Sequence, residues 1–134
     1  MTSPEYSSRQ EQPTRKTILI IEDDEAIGYF LTTAIRTETP YLPLLLPNGN
    51  QALQHIKECR PDLLLLDYHL PGINGIELYD QLQAIDGVST IPAILLTANT
   101  AKQLNSEAES RKLIVLNKPL ELDDFLHMVG KLLA

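Results

Sequence analysis

The stretch Leu63-Leu64-Leu65-Leu66-Asp67-Tyr68-His69-Leu70-Pro71-Gly72 sets four leucines against one carboxylate and then breaks into a turn. A short, unbroken apolar run closed by an acid and a Pro-Gly pair predicts a strand buried on both faces, delivering one charge to a sheet edge. An unpaired carboxylate in such a place is costly unless a cation or hydrogen-bond donors meet it. Asp67 therefore needs partners, and the flanking sequence can be searched for them.

On either side of this run the chain alternates apolar segments with amphipathic ones. Ile18–Ile21 reads as a first strand, Tyr41–Leu46 as a second, Leu63–Leu66 as the third, Ile91–Leu96 as the fourth and Leu113–Leu116 as the fifth. Between them, Ala26, Ile27, Phe30, Leu31, Ala34 and Ile35 recur at helical spacing behind Asp24, a natural cap. Asn48-Gly49 opens a helix on Ala52, Leu53 and Ile56, and another carries Ile76, Tyr79 and Leu82. Leu122, Phe125, Leu126, Val129 and Leu132 form a last helix, with Asp123 and Asp124 expected as caps and dipole partners at its start. The segment Asn99–Lys112 is polar, with only Ala101, Leu104 and Ala108 on a stripe, and predicts a short, irregular or mobile helix.

Five strands alternating with helices predict an α/β fold, a parallel sheet covered on both faces. Pro43 cannot donate to a ladder, so its strand belongs at an edge. The flavodoxin-like order 2-1-3-4-5 satisfies this and leaves strands 1 and 3 flanking the point where ligands bind, outside the carboxyl ends of the strands.

Bulk properties narrow the function. The chain has 134 residues, 43% hydrophobic and 22% charged, enough for one globular domain. Residues 1–16 hold two prolines and few aliphatics and read as a disordered leader, with the domain proper at 17–134. The formal charge is −7, and the leader carries three cations against two anions, so residues 17–134 carry −8. An acidic domain without a basic stripe argues against direct nucleic-acid binding. No apolar stretch approaches the length of a membrane span, and no hydrophobic signal core opens the chain, so neither a membrane nor export is expected. One cysteine, Cys59, allows no internal disulfide and fits a reducing cytoplasm.

Polar residues follow four of the five apolar runs at once: Glu22-Asp23-Asp24 after strand 1, Asp67 after strand 3, Thr97-Ala98 after strand 4 and Asn117-Lys118-Pro119 after strand 5. In the predicted topology these sets converge. Glu22, Asp23 and Asp67 would then repel one another unless a hard divalent cation joined them, and carboxylate oxygens suit Mg2+. Lys118 offers a point charge for a phosphoryl oxygen and Thr97 a hydroxyl donor for another. A metal, a cation and a donor around one carboxylate nucleophile is the equipment of phosphoryl transfer.

The ordered set ILIIEDD, LLLLDYHLPGINGIEL, ILLTA and NKP resembles the receiver domain of two-component response regulators, in its single-domain, chemotaxis-regulator-like form, over residues 17–134. The resemblance implies that Asp67 is the phosphoacceptor, charged from a phosphohistidine on a sensor histidine kinase or a histidine phosphotransfer protein. It implies that Glu22 and Asp23 hold Mg2+ with Asp67, that His69 lends its backbone carbonyl to the metal, and that Thr97 and Lys118 are the switch hydroxyl and the phosphoryl-binding lysine. A downstream protein target and a homodimer are the further partners it suggests, and Pro119 matches a proline that usually follows a cis peptide. His69 and Asn99 stand where a side chain could guide or block hydrolytic water.

Three features depart from the family pattern. Val115 replaces an aromatic three residues before the lysine, the turn before strand 5 lacks its glycine-alanine pair, and the chain stops at the end of its last helix, as a single-domain receiver or a fragment of a longer one. The expected function is a phosphorylation-controlled switch rather than an enzyme acting on an external substrate. The alternative is a constitutive receiver-fold interaction module. An aspartyl phosphatase of the haloacid dehalogenase type would want a second Asp two residues after the first, where this chain has His69. His55 and His127 fall within helices and are not expected to relay phosphoryl groups.

Overall fold

A computed structural model describes residues 15–98 and 102–134. Most of the leader, Asn99 and Ala101 lie outside the described residues. Five parallel strands, β1 (Thr17–Ile21), β2 (Leu42–Leu46), β3 (Leu63–Asp67), β4 (Ala93–Thr97) and β5 (Ile114–Asn117), form one sheet in the order 2-1-3-4-5. They alternate with α1 (Glu25–Glu38), α2 (Gly49–Glu58), α3 (Gly75–Gln83), α4 (Lys102–Ser110) and α5 (Leu122–Leu133). The predicted order and alternation are those observed.

Successive residues of each central strand point to opposite faces, so the aliphatic runs feed two separate cores. Ile18, Ile20, Leu63, Leu65, Ile94 and Leu96 pack with Leu31 and Ile35 of α1 and Phe125, Val129 and Leu133 of α5. Leu19, Ile21, Leu64, Leu66, Ala93 and Leu95 pack on the other side with Ala52 and Ile56 of α2, Leu78 and Leu82 of α3, and Leu104 and Ala108 of α4. β2 is an edge strand, with Pro43 opposite Ile18, as the missing N–H requires.

Several expectations shift in detail. β2 begins at Leu42 rather than Tyr41, β4 runs Ala93–Thr97 rather than 91–96, and β5 runs Ile114–Asn117 rather than 113–116. Pro92 lacks a donor, and Ile91 is still engaged in the preceding turn through its N–H to the Val88 carbonyl, so β4 starts late. Leu113 N–H is likewise bound to the Ala108 carbonyl at the end of α4. Of the short, irregular or mobile helix expected over 99–112, the described part, α4, is short, nine residues like α3, and regular. Its two buried residues suffice as anchors because the C-terminal turn is closed by three main-chain bonds, from Arg111, Lys112 and Leu113. Lys112 takes φ 60 there, the left-handed conformation a glycine usually supplies. The apolar stripe of α1 is also wider than its buried part: Ala26 is exposed and Phe30 is 42% exposed.

Asp24 and Asn48 cap α1 and α2 by accepting from the N–H groups of Ile27 and Gln51. Asn74 and Glu77 form a reciprocal capping box on α3, a pairing visible in the sequence as Asn-x-x-Glu. At α5, Asp123 and Asp124 lie in the first turn, where they meet the helix dipole, but the cap is Glu121 without a side-chain hydrogen bond. Neither aspartate caps that helix.

Candidate functional site

Each polar residue singled out above sits where an aliphatic strand runs out. β1 delivers Glu22 and Asp23, and the Glu22 N–H still donates to the Leu46 carbonyl, extending the ladder by one bond. Glu22 Oε2 accepts the Asp24 N–H at 3.2 Å, which fixes the carboxylate while Asp24 itself caps α1. Asp67 is the last residue of β3 and is 3% exposed, as is Glu22. The chain then turns sharply: Gly75 N–H donates to the Tyr68 carbonyl, and a Cβ at position 75 would lie 2.5 Å from the Asp67 carbonyl oxygen. Only glycine admits α3 this close to the strand end.

One oxygen from each of Glu22, Asp23 and Asp67 falls within 4.8 Å of the others, Asp23 being the exposed member. Lys118 reaches into this group from beyond β5. Its Nζ lies 2.9 Å from Asp67 Oδ1 and 3.4 Å from Glu22 Oε1. Burial would lower the ammonium, but the hydrogen bond and charge of Asp67, helped by Glu22, outweigh that and hold Lys118 above its ordinary value. One cation does not satisfy three carboxylates. The Glu22 carboxyl is pushed up to about 7, first by burial and then by its hydrogen bond and charge contact with Asp67.

Thr97 closes β4 and is fully buried. It pairs in register with Asn117, and its carbonyl accepts both the Lys118 N–H at 2.9 Å and the Asn117 side-chain amide at 3.4 Å. The Lys118-Pro119 peptide is cis. His69 is exposed, its ring edge-on to Tyr68 with centroids 5.0 Å apart. Val115 pairs with Leu95, one rung below Leu96, and packs against the core of α2, α3 and α4. The structure thus gathers Glu22, Asp23, Asp67 and Lys118 in contact and brings Thr97 to the same sheet edge, while His55 and His127 stay on their helices.

An open parallel sheet with an acidic cleft at the carboxyl ends of β1 and β3 places the chain among the doubly wound α/β folds, with the cleft where such folds bind their ligands. The comparison with known sequences is more specific. A family model described as the response regulator receiver domain matches residues 18–130, and the chain belongs to that family, the receiver domains of two-component response regulators. The DNA-binding response regulator MtrA of Mycolicibacterium smegmatis is 42% identical over 64% of this chain but only 36% of its own length, so the chain spans about a third of that relative. The sporulation initiation phosphotransferase F of Bacillus subtilis is 35% identical over 87% of this chain and 92% of its own length. Among solved structures, the receiver domain of the sensor histidine kinase PA1611 of Pseudomonas aeruginosa, described with a magnesium ion coordinated in its active-site cleft, superposes with a TM-score of 0.80 at 22% identity. It covers 90% of this chain and 98% of that one. Among the described residues no helix is long and apolar enough to cross a membrane.

Proposed function

We propose that this chain accepts a phosphoryl group on Asp67 from a phosphohistidine of a sensor kinase or a phosphotransfer protein, and that acceptance changes its affinity for a downstream protein. The observation that carries this reading is the contact of Lys118 Nζ with Asp67 at 2.9 Å inside a cluster of three carboxylates. A buried carboxylate with one oxygen held by an ammonium is a nucleophile beside the charge that an incoming phosphoryl oxygen needs. The donor set is all oxygen and carries an excess of negative charge, which fits Mg2+. Glu22, Asp23 and Asp67, with the main-chain carbonyl of His69, would hold it, and when bound it neutralises charge on the transferring group. The magnesium of the Pseudomonas receiver supports this choice of ion.

Lys118 orients one phosphoryl oxygen, and the Thr97 hydroxyl binds another, drawing the end of β4 toward the modified Asp67. The −8 carried by residues 17–134 argues that this domain does not itself grip nucleic acid, and the single free Cys59 suits a cytoplasmic setting. We place the domain at 17–134 with residues 1–16 as a leader. The test is direct. Incubation with Mg2+ and acetyl phosphate should add one phosphoryl group by mass spectrometry, and Asp67→Asn should abolish it; labelling that survives the substitution removes Asp67 from the role.

Val115 favours a second reading, a module that binds its partner whether or not it is phosphorylated, because no aromatic is present there to swing with Thr97. Phosphorylation can shift an equilibrium only through differential affinity. Equal partner affinity before and after labelling would select the passive module.

A further inference from the structure

Tyr29 is 73% exposed, the most exposed large apolar side chain among the described residues. It opens a groove of about 270 Å3 between α1 and α5, walled by Tyr29, Phe30 and Thr33 on one side and Leu122 on the other, with Thr37 and Glu38 at its foot. Leu122 is itself 38% exposed. α5 turns Asp124 and Phe125 toward β5 and Leu122 toward α1. Leu126 and Gly130 follow Leu122 at intervals of four residues and continue its row along the helix. Gly130 is the unexpected member of that row. Glycine inside a helix is less favourable than alanine, yet a Cβ at this position would meet nothing within 4 Å. Packing among the described residues gives no reason for it, whereas a main chain laid against α5 would.

The chain enters its first strand at the foot of the same groove. Arg15 Nε donates to the Pro40 carbonyl at 2.7 Å, just past the end of α1, and Lys16 Nζ donates to the Leu133 carbonyl at 2.6 Å, at the last residue of α5. These bonds fix where residues 1–14 depart, between the carboxyl ends of the two helices that wall the groove. The leader holds one aromatic residue, Tyr6. The stretch from Tyr6 to Arg15 spans about 30 Å when extended, more than the roughly 14 Å that α1 rises between Tyr29 and Glu38.

We infer that the groove between α1 and α5 is the seat of this chain's own leader, whose main chain passes over Gly130 and whose Tyr6 rests among Tyr29, Thr33 and Leu122. A segment too polar to build a core can still place one ring in a preformed apolar groove. Its tether makes the encounter intramolecular, so contacts too weak to hold a free peptide suffice. A protein that docks on the exposed rings of α1 must first displace it. The inference does not depend on the role of Asp67.

The experiment uses the full-length chain with Cys59→Ser, so that only introduced thiols react. Ser7→Cys is paired either with Thr33→Cys, in the groove, or with Gln54→Cys, exposed on α2 across the sheet. Disulfide formation under oxidised glutathione is followed by mass spectrometry. The groove pair should close within one molecule at least about tenfold faster than the control pair. Tyr6→Ser, Tyr29→Ser and Gly130→Gln should each slow it toward the control. Equal rates for the two pairs would overturn the seat, and so would fast closure that none of the three substitutions slows. A disulfide between molecules, faster at higher protein concentration, would assign the groove to a second copy and also overturn the proposal.

Discussion

Glu22 shows how one residue records the chemistry of its neighbours. Its carboxyl rises from 4.5 to about 7 because burial and the hydrogen bond with Asp67 both favour the protonated form. The folded, metal-free chain thus keeps a proton that the unfolded chain loses. The stability this group contributes is fully present below 4.5 and is lost as pH rises through about 7. Urea titrations of the metal-free protein should show stability falling across that window, and Glu22→Gln should flatten the slope; an unchanged slope would place the titration elsewhere. Affinity for a divalent ion should run the opposite way, climbing with pH as the proton ceases to compete. The sequence showed the acids and where they would converge, since each follows an apolar run. Asp24 was legible as the cap of α1, but which of the other carboxylates meets Lys118 depends on backbone geometry that spacing alone leaves open.

At the scale of elements, the turn from α4 into β5 offers two further tests. Lys112 stands at φ 60, where a side chain clashes with its own backbone. Lys112→Gly should stabilise the protein by about 1 kcal/mol in chemical denaturation; a loss would mean that the lysine side chain contributes more than the strain removes. Next to it, Arg111 forms a two-pronged bond with Asp80 of α3, at 2.7 and 2.8 Å, and its other nitrogen holds the Glu107 carbonyl. The hydrogen bond to Arg111 holds the Asp80 carboxyl below 3.8, so its contribution is present above that value and lost as pH falls through the lowered one. Asp80 is half exposed, and Asp80→Asn should cost no more than about 1 kcal/mol at neutral pH and nothing in acid. These features were the least legible beforehand. A polar segment with two apolar anchors looks irregular in one dimension, because the bonds that close its end come from main chain and from an arginine aimed at another helix. The strands were legible because a short aliphatic run bounded by turn residues fits the centre of a covered sheet better than any amphipathic element. Their ends slipped by a residue or two, and β4 and β5 start late where Pro92 and a turn bond to Ala108 intervene.

For the whole molecule, the sheet separates two cores that share no side chains. Leu31 of α1 belongs to one and Ile56 of α2 to the other, both fully buried. Leu31→Ala and Ile56→Ala should each cost about 2–5 kcal/mol, and the double variant should lose the sum to within about 0.5 kcal/mol. A large excess or deficit in urea midpoints would show that the faces communicate through the sheet. The order of strands was readable before any coordinates, from Pro43 and the alternation of elements. Which helix faces remain open was not, since the periodicity of α1 presents Phe30 and Leu31 alike as core.

The bond from the Lys118 N–H to the Thr97 carbonyl carries a mechanical consequence. The ammonium that meets Asp67 is borne by a residue whose main chain is tied to that of Thr97, with Asn117 adding a second tie to the same carbonyl. The ends of β4 and β5 are thereby tied to each other at the rim of the acidic cluster by bonds in which residue 115 takes no part.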